Sequence, residues 1–197
     1  MSQRINKEMI IDAAFEIMTE NGFKAVNTRD IAAKLQVSTQ PIYSSYKSVG
    51  EMLEDLYEKA VSEFKKMLFK DIDKSDFLYS FSLVYIRTAK EHSNLFKFIF
   101  FEYYKENLSR ENIYSLLLEY LENDGNFGSV LTLYKIDAEG MKSVFRRLLT
   151  YVHGEAAYII SEKGNFESFE NETVISDLRN TINEMLRGEI VRRSFEL

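Results

Sequence analysis

The stretch Gly22-Phe23-Lys24-Ala25-Val26-Asn27-Thr28-Arg29-Asp30-Ile31-Ala32, running on through Ala33-Lys34-Leu35-Gln36 to Val37-Ser38-Thr39-Gln40-Pro41-Ile42-Tyr43, holds two short helices in close succession. Asn27 followed three residues later by Asp30 has the form of a capping box, with Asn and Asp in place of the commoner Ser/Thr and Glu. Ile31, Ala32 and Leu35 supply the buried side of that helix, which ends near Gln36. Ser38 is placed to cap the next one, and Pro41 is tolerated in its first turn because those N–H groups have no helical partner. Ile42, Tyr43 and Tyr46 carry it on. Two short helices joined by a few residues form the pattern of a helix-turn-helix, whose second helix enters the major groove of DNA.

Upstream, Ile10, Ala13, Ala14, Ile17 and Met18 recur at helical spacing from about Asn6 to Asn21, and Asn21-Gly22 supplies the stop. Phe23 and Val26 are expected in the core of the connection. Downstream, Met52, Leu53, Leu56, Tyr57, Ala60, Phe64, Met67 and Leu68 mark a long fourth helix. Asp76 is placed to cap a fifth and Ser93 a sixth, the latter running from Leu95 to about Tyr104. A seventh is expected over Ile113 to Leu121, with the clearest long loop at Asn123 to Gly128. The eighth runs from about Ala138 to Ser161, and the ninth carries Val174, Ile175, Leu178, Ile182, Met185 and Leu186. The fold class is therefore all-α: a three-helix helix-turn-helix domain at 1–47, then a larger helical bundle at 48–197, about nine helices in total.

Composition narrows the chemistry. The chain has 197 residues and a formal net charge of −6, with eight Gly, one Pro and no Cys. So few turn-makers argue against a many-stranded sandwich or barrel. Without cysteine there is no disulfide, thiol nucleophile or cysteine-ligated metal, and two histidines, His92 and His153, are too few for a three-histidine site. No nucleophile elbow or glycine-rich phosphate loop occurs, so no catalytic residue, metal or cofactor is expected, and the protein is not expected to be an enzyme. Glu8, Asp12 and Glu16 break up the apolar residues after Lys7, which argues against a signal peptide, and no apolar run approaches the ~20 residues of a membrane span. No membrane association is expected, and a cytoplasmic location fits. Residues 1–47 hold six cations against five acids, a net +1 that leaves −7 for the rest. A near-neutral segment can still bind DNA if its cations and N–H groups converge on one face.

The quoted stretch resembles the DNA-binding domain of TetR-family transcriptional regulators, with the likeness spanning roughly residues 6–57. Three positions depart from the family pattern: Gln36 where Gly is usual, Tyr46 where Phe is usual, and Val49 where Lys is usual, with Lys47 close by. Further on, Tyr85 to Phe96 is similar to a segment of some members, and Tyr151-Val152-His153-Gly154 resembles the Trp-x-x-His-Gly signature of one C-terminal domain type. The resemblance implies a repressor that binds a palindromic operator in double-stranded DNA. It implies a homodimer built through the eighth and ninth helices, and release by a small-molecule effector.

Gln40 has the donor and acceptor to pair with adenine N6/N7, and Ser38 or Thr39 can reach bases or phosphates. Pro41 and Ser44 add apolar or polar contacts, while Tyr43, Lys47 and Thr28 suit phosphate. The same residues also have plainer uses, since Ser38 and Asn27 can serve as caps and Tyr43 and Tyr46 as packing. Phe77, Phe81, Tyr85, Phe100, Tyr103 and Phe145 are candidates to line a pocket for a small apolar or aromatic effector, though core packing accounts for the same stripe. His153 reads best as a hydrogen-bonded core histidine beside a Gly that permits close helix packing. The alternative to a regulator is a helical protein-interaction module that no longer binds DNA, motivated by Gln36, Val49 and the low positive charge.

Overall fold

The computed structural model describes residues 5–103, 110–123, 127–161 and 172–194. Among the described residues ten α-helices follow one another: α1 Lys7–Asn21, α2 Thr28–Lys34, α3 Gln40–Ser45, α4 Val49–Lys70, α5 Phe77–Glu91, α6 Ser93–Lys97, α7 Arg110–Asn123, α8 Phe127–Tyr134, α9 Ala138–Ile160 and α10 Glu172–Ser194. No strand occurs among the described residues. The helix beyond the expected nine is α8, which begins where the sequence reads as the end of a loop. The eighth and ninth helices of the sequence are thus α9 and α10.

Two compact units emerge: Met1–Met67 with Glu91–Lys105, and Leu68–Lys90 with Glu106–Leu197. Compactness thus draws its line elsewhere than a functional division at 47/48, because most of α4 and the α6 segment share the apolar interior of the N-terminal helices. Ile10, Ala14 and Met18 of α1, Ile31 of α2, Ile42 of α3, and Met52 and Leu56 of α4 are all buried in the first unit. Each of these side chains except the smaller Ala14 contributes about 1.5–3 kcal/mol when removed from water. α6 joins this interior through Leu95 and Phe96. Asn94 donates from Nδ2 to the carbonyl of Thr19 at 3.0 Å, near the open end of α1.

The sixth helix departs from expectation in two ways. Its cap position is His92, not Ser93, and no side chain bonds there. After Lys97 the backbone widens into a π-helical turn over Phe98–Glu102, closed by Tyr103 N–H donating to the Phe98 carbonyl. That turn puts Phe98 and Ile99 inside and leaves Phe101 53% exposed, so the aromatic stretch is not buried on every side.

In the second unit, α9 buries Met141, Val144, Phe145, Leu148 and Val152, and α10 buries Leu178 and Ile182. Val174 and Ile175 lie outside the residues whose side chains are described. Asp76, expected as the α5 cap, instead ends a 3-10 turn over Lys74–Asp76 and pairs with Arg179 at 2.8 Å. The cap of that turn is Asp73, which accepts from Ser75 N–H at 2.9 Å. Arg179 also lies over the Tyr79 ring at 3.6 Å. No described helix is long and apolar enough to cross a membrane.

Candidate nucleic-acid interface

α2 is held at its start by the side chain of Asn27, which accepts from the N–H groups of Arg29 and Asp30 at 3.1 and 3.0 Å. Asp30 answers by accepting from Asn27 Nδ2 at 2.7 Å rather than from the backbone, so the box closes through side chains. At its far end Gln36 takes φ 57°, the left-handed conformation that Gly usually supplies. Gln36 N–H donates to the Ala33 carbonyl and Val37 N–H to the Ala32 carbonyl, both at 3.0 Å. This is a Schellman turn completed without glycine, and it sets the angle at which the chain enters α3.

Thr39, not Ser38, occupies the cap of α3, and it makes no side-chain capping bond. The expected capping bond from Ser38 is not made either, and the start of α3 is closed by the Thr39 carbonyl, which receives the N–H groups of Ile42 and Tyr43. Ser38, Gln40, Tyr43, Ser44 and Lys47 are exposed, while Thr28, Thr39 and Pro41 are half-buried. Ile42 and Tyr46 turn inward, so the helix presents one polar face and one packed face. Tyr43 is 63% exposed, and its hydroxyl lies 3.3 Å from Thr28 Oγ1, joining α2 and α3 at a common edge. Ser44 Oγ donates to the Gln40 carbonyl at 2.9 Å and Ser45 Oγ to that of Pro41 at 2.9 Å.

Behind that face the turn into α4 is secured by groups that the local sequence pattern did not single out. Ser48 Oγ accepts from Glu51 N–H at 3.1 Å, and Glu51 accepts from Lys47 N–H at 2.9 Å and from Lys7 Nζ at 2.8 Å. Lys7 and the Lys47 N–H hold the Glu51 carboxyl below its ordinary value. Tyr46 donates to Asp55 Oδ2 at 2.9 Å, and Lys7 sits 4.4 Å from the centre of its ring. Burial first, and the bond to Asp55 second, push the Tyr46 phenol well above its usual value. The change from Phe to Tyr at this position thus adds a tie to α4. The spacing Ser48-x-x-Glu51 was the available signal for this corner.

The aromatic candidates divide between the units. Phe77, Phe81, Tyr85 and Phe145 adjoin in the second unit, with Phe81 and Phe145 ring centres 4.9 Å apart and Phe77 6.1 Å from Phe81. Phe81 and Tyr85 are 5.9 Å apart, and the Tyr85 hydroxyl meets His153 Nδ1 at 2.8 Å. Phe100 packs on Phe64 and Phe96 in the first unit, and Tyr103 on Tyr57, Phe98 and Phe23. His153 is half-buried and hydrogen-bonded, but a Cβ on Gly154 would meet nothing within 4 Å in this chain, so Gly154 permits no close packing here. Phe23 and Val26 are likewise half-buried, not core.

Comparison with known proteins agrees with this geometry. Residues 10–56 match the family model described as bacterial regulatory proteins, tetR family. No curated protein matches the chain. Among solved structures, a tetR-family transcriptional regulator from Streptomyces coelicolor aligns with TM-score 0.63 at 11% identity, covering 97% of this chain and 90% of that one. A transcriptional regulator from Rhodococcus sp. Rha1 aligns with TM-score 0.56 at 16% identity, covering 93% and 97%. A TetR variant from Acinetobacter baumannii AYE in complex with minocycline aligns with TM-score 0.53 at 18% identity, covering 96% and 98%. These structures share the fold over nearly the full chain, and residues 10–56 carry the helix-turn-helix segment matched by the model of bacterial regulatory proteins, tetR family.

Proposed function

We propose that the protein is a transcriptional repressor that binds a palindromic operator as a homodimer and is released by a small-molecule effector. The observation that carries this is the outward face of α3, where Gln40, Tyr43 and Ser44 are exposed on a helix whose other side is packed, with Lys47 exposed just beyond its end. Gln40 is the base reader, with an amide suited to adenine N6/N7. Ser38, Thr39 and Pro41 approach at the leading end of the helix. Thr28, Tyr43 and Lys47 hold phosphates, the first two as one site across their 3.3 Å contact. In a dimer, two such helices reach successive major-groove faces about 34–36 Å apart or a multiple of that.

Dimerisation is assigned to α9 and α10, where Tyr158, Ile190 and Val191 stand exposed. Tyr158 and the Ile190–Val191 pair lie toward opposite ends of these antiparallel helices, so an interface that covers them runs along the length of the pair. The effector is an apolar or aromatic molecule, in keeping with the minocycline held by one similar structure. Its proposed contacts are Phe77, Phe81, Tyr85 and Phe145, which adjoin in the second unit, whereas Phe100 and Tyr103 pack among the aromatics of the first. Its release of DNA requires different affinity for two states of the protein.

Purified protein incubated with sheared genomic DNA at moderate salt, followed by recovery and sequencing of bound fragments, tests this directly. A shared palindrome is the expected result, and Gln40→Ala combined with Tyr43→Phe should weaken its binding by at least about tenfold. Folded protein that enriches no fragment, or a double variant that binds like wild type, would turn the assignment toward a protein-interaction module.

A further inference from the structure

Charge is distributed unevenly within the helix-turn-helix. Between Thr28 and Ser45 the chain holds two cations, Arg29 and Lys34, and one acid, Asp30, all of them on α2. Lys34 is paired with Glu16 at 2.8 Å, and Asp30 accepts from Asn27. α3 itself, with Ser38 and Thr39 before it, carries no charged side chain. Lys47 comes after the helix has ended at Ser45, and its N–H is bonded to Glu51 of α4.

That composition decides which base edges the helix can tell apart. Guanine shows two acceptors, N7 and O6, to the major groove and is read by Arg or Lys, while cytosine N4 is read by Asp or Glu. Neither kind of reader is present on α3. Adenine shows one donor and one acceptor, which match the Gln40 amide with its oxygen on N6 and its nitrogen on N7. Against guanine the amide oxygen would face an acceptor, and one of the two bonds is lost. Gln40 is flanked by Thr39, whose side chain makes no capping bond, and by the ring of Pro41. A methyl and an apolar ring suit the C5 methyl of thymine. Ser44, one turn on and about 6 Å along the axis, is already spent as a donor, because its hydroxyl donates to the Gln40 carbonyl at 2.9 Å. It therefore meets DNA as an acceptor, which suits the amino group of adenine or cytosine and gives guanine nothing to bind.

We propose that α3 is a reader of A·T pairs: in each half-site it selects adenine at Gln40 with thymine beside it at Thr39 or Pro41, and no guanine on the strand that these residues face. This rests on the operator binding through α3 proposed above. The full chain, equilibrated at moderate salt with synthetic duplexes of randomised sequence and followed by sequencing of the bound fraction, tests it. The wild type should enrich a palindrome, and Gln40→Arg should change the preference at one position of each half-site from adenine to guanine, with at least about fivefold discrimination. Gln40 is exposed, so the exchange leaves the packed side of α3 untouched. The enriched duplex and the wild-type protein give a second measurement. 7-Deazaadenine, which lacks the N7 acceptor, placed at each adenine of one half-site in turn should weaken binding at one position by about three- to tenfold. Uracil, which lacks the methyl, in place of the neighbouring thymine should weaken it by about three- to fourfold. Guanine in the wild-type half-site at the position that the arginine variant alters overturns the proposal. So does a variant that selects the same half-site as wild type, or a duplex indifferent to both base analogues. If the arginine variant binds no duplex, the analogues decide alone. Folded wild-type protein that enriches no palindrome overturns operator binding itself, and this inference with it. An enriched palindrome that fails these tests overturns only the assignment of A·T reading to α3.

Discussion

Gln36 shows what a single backbone angle decides. Its φ of 57° is where α2 ends and the approach to α3 begins. A residue with a Cβ pays about 1–2 kcal/mol there, and glycine's greater freedom in the unfolded chain returns about 0.5–1 kcal/mol of that. Gln36→Gly should therefore raise stability by about 0.5–1 kcal/mol, seen in thermal melts as a midpoint higher by about 1–4 °C. A lower midpoint would mean that the Gln36 side chain does something that its backbone angle does not reveal. Tyr57 is legible from its burial: loss of hydration pushes its phenol up to about 12, with the nearby Tyr103 adding to the shift. Because the folded protein favours the neutral form, this stabilisation is complete below the ordinary tyrosine value near 10 and is lost as pH rises toward 12. Among twelve tyrosines, the absorbance titration of Tyr57→Phe should lack a late-ionising step. An unchanged late phase would place that step on another phenol.

α2 has seven residues, too few to be stable alone, so its ends and its packing must hold it. Asn27→Ala removes the acceptor for the N–H groups of Arg29 and Asp30 and should cost about 1 kcal/mol, measured by denaturant unfolding. A loss under a few tenths would mean that water replaces the cap freely. Elements of this kind were readable because capping residues and apolar spacing are local. α8 was not, since Phe127–Tyr134 is short, contains Gly128 and follows directly on loop-forming residues. The π-helical turn at Phe98–Glu102 was also invisible, because an aromatic-rich run has no period that distinguishes i→i+4 from i→i+5 bonding. The caps expected at Ser38, Asp76 and Ser93 failed for a shared reason. A short polar residue before an apolar run suits several adjacent positions, and the packing of the neighbours chooses among them.

At the scale of the whole molecule, an acidic chain that binds DNA must do so through a few cations on one face. Operator affinity should fall as salt rises, and Lys47→Met, altering both protomers, should reduce the magnitude of the log–log slope by about 2. A titration of binding against salt checks this, and an unchanged slope would remove Lys47 from the phosphate contacts. What the sequence determined by itself was the helical class, the helix-turn-helix and the exposed face of α3, because each depends on spacing within a few residues. Only the tertiary structure decided that Tyr46 ties α3 to Asp55, and that the aromatic candidates fall into separate clusters. Those outcomes depend on partners 9 to 68 residues apart in the chain, and the energy of such contacts is set by which surfaces meet in space, a choice that no local pattern encodes.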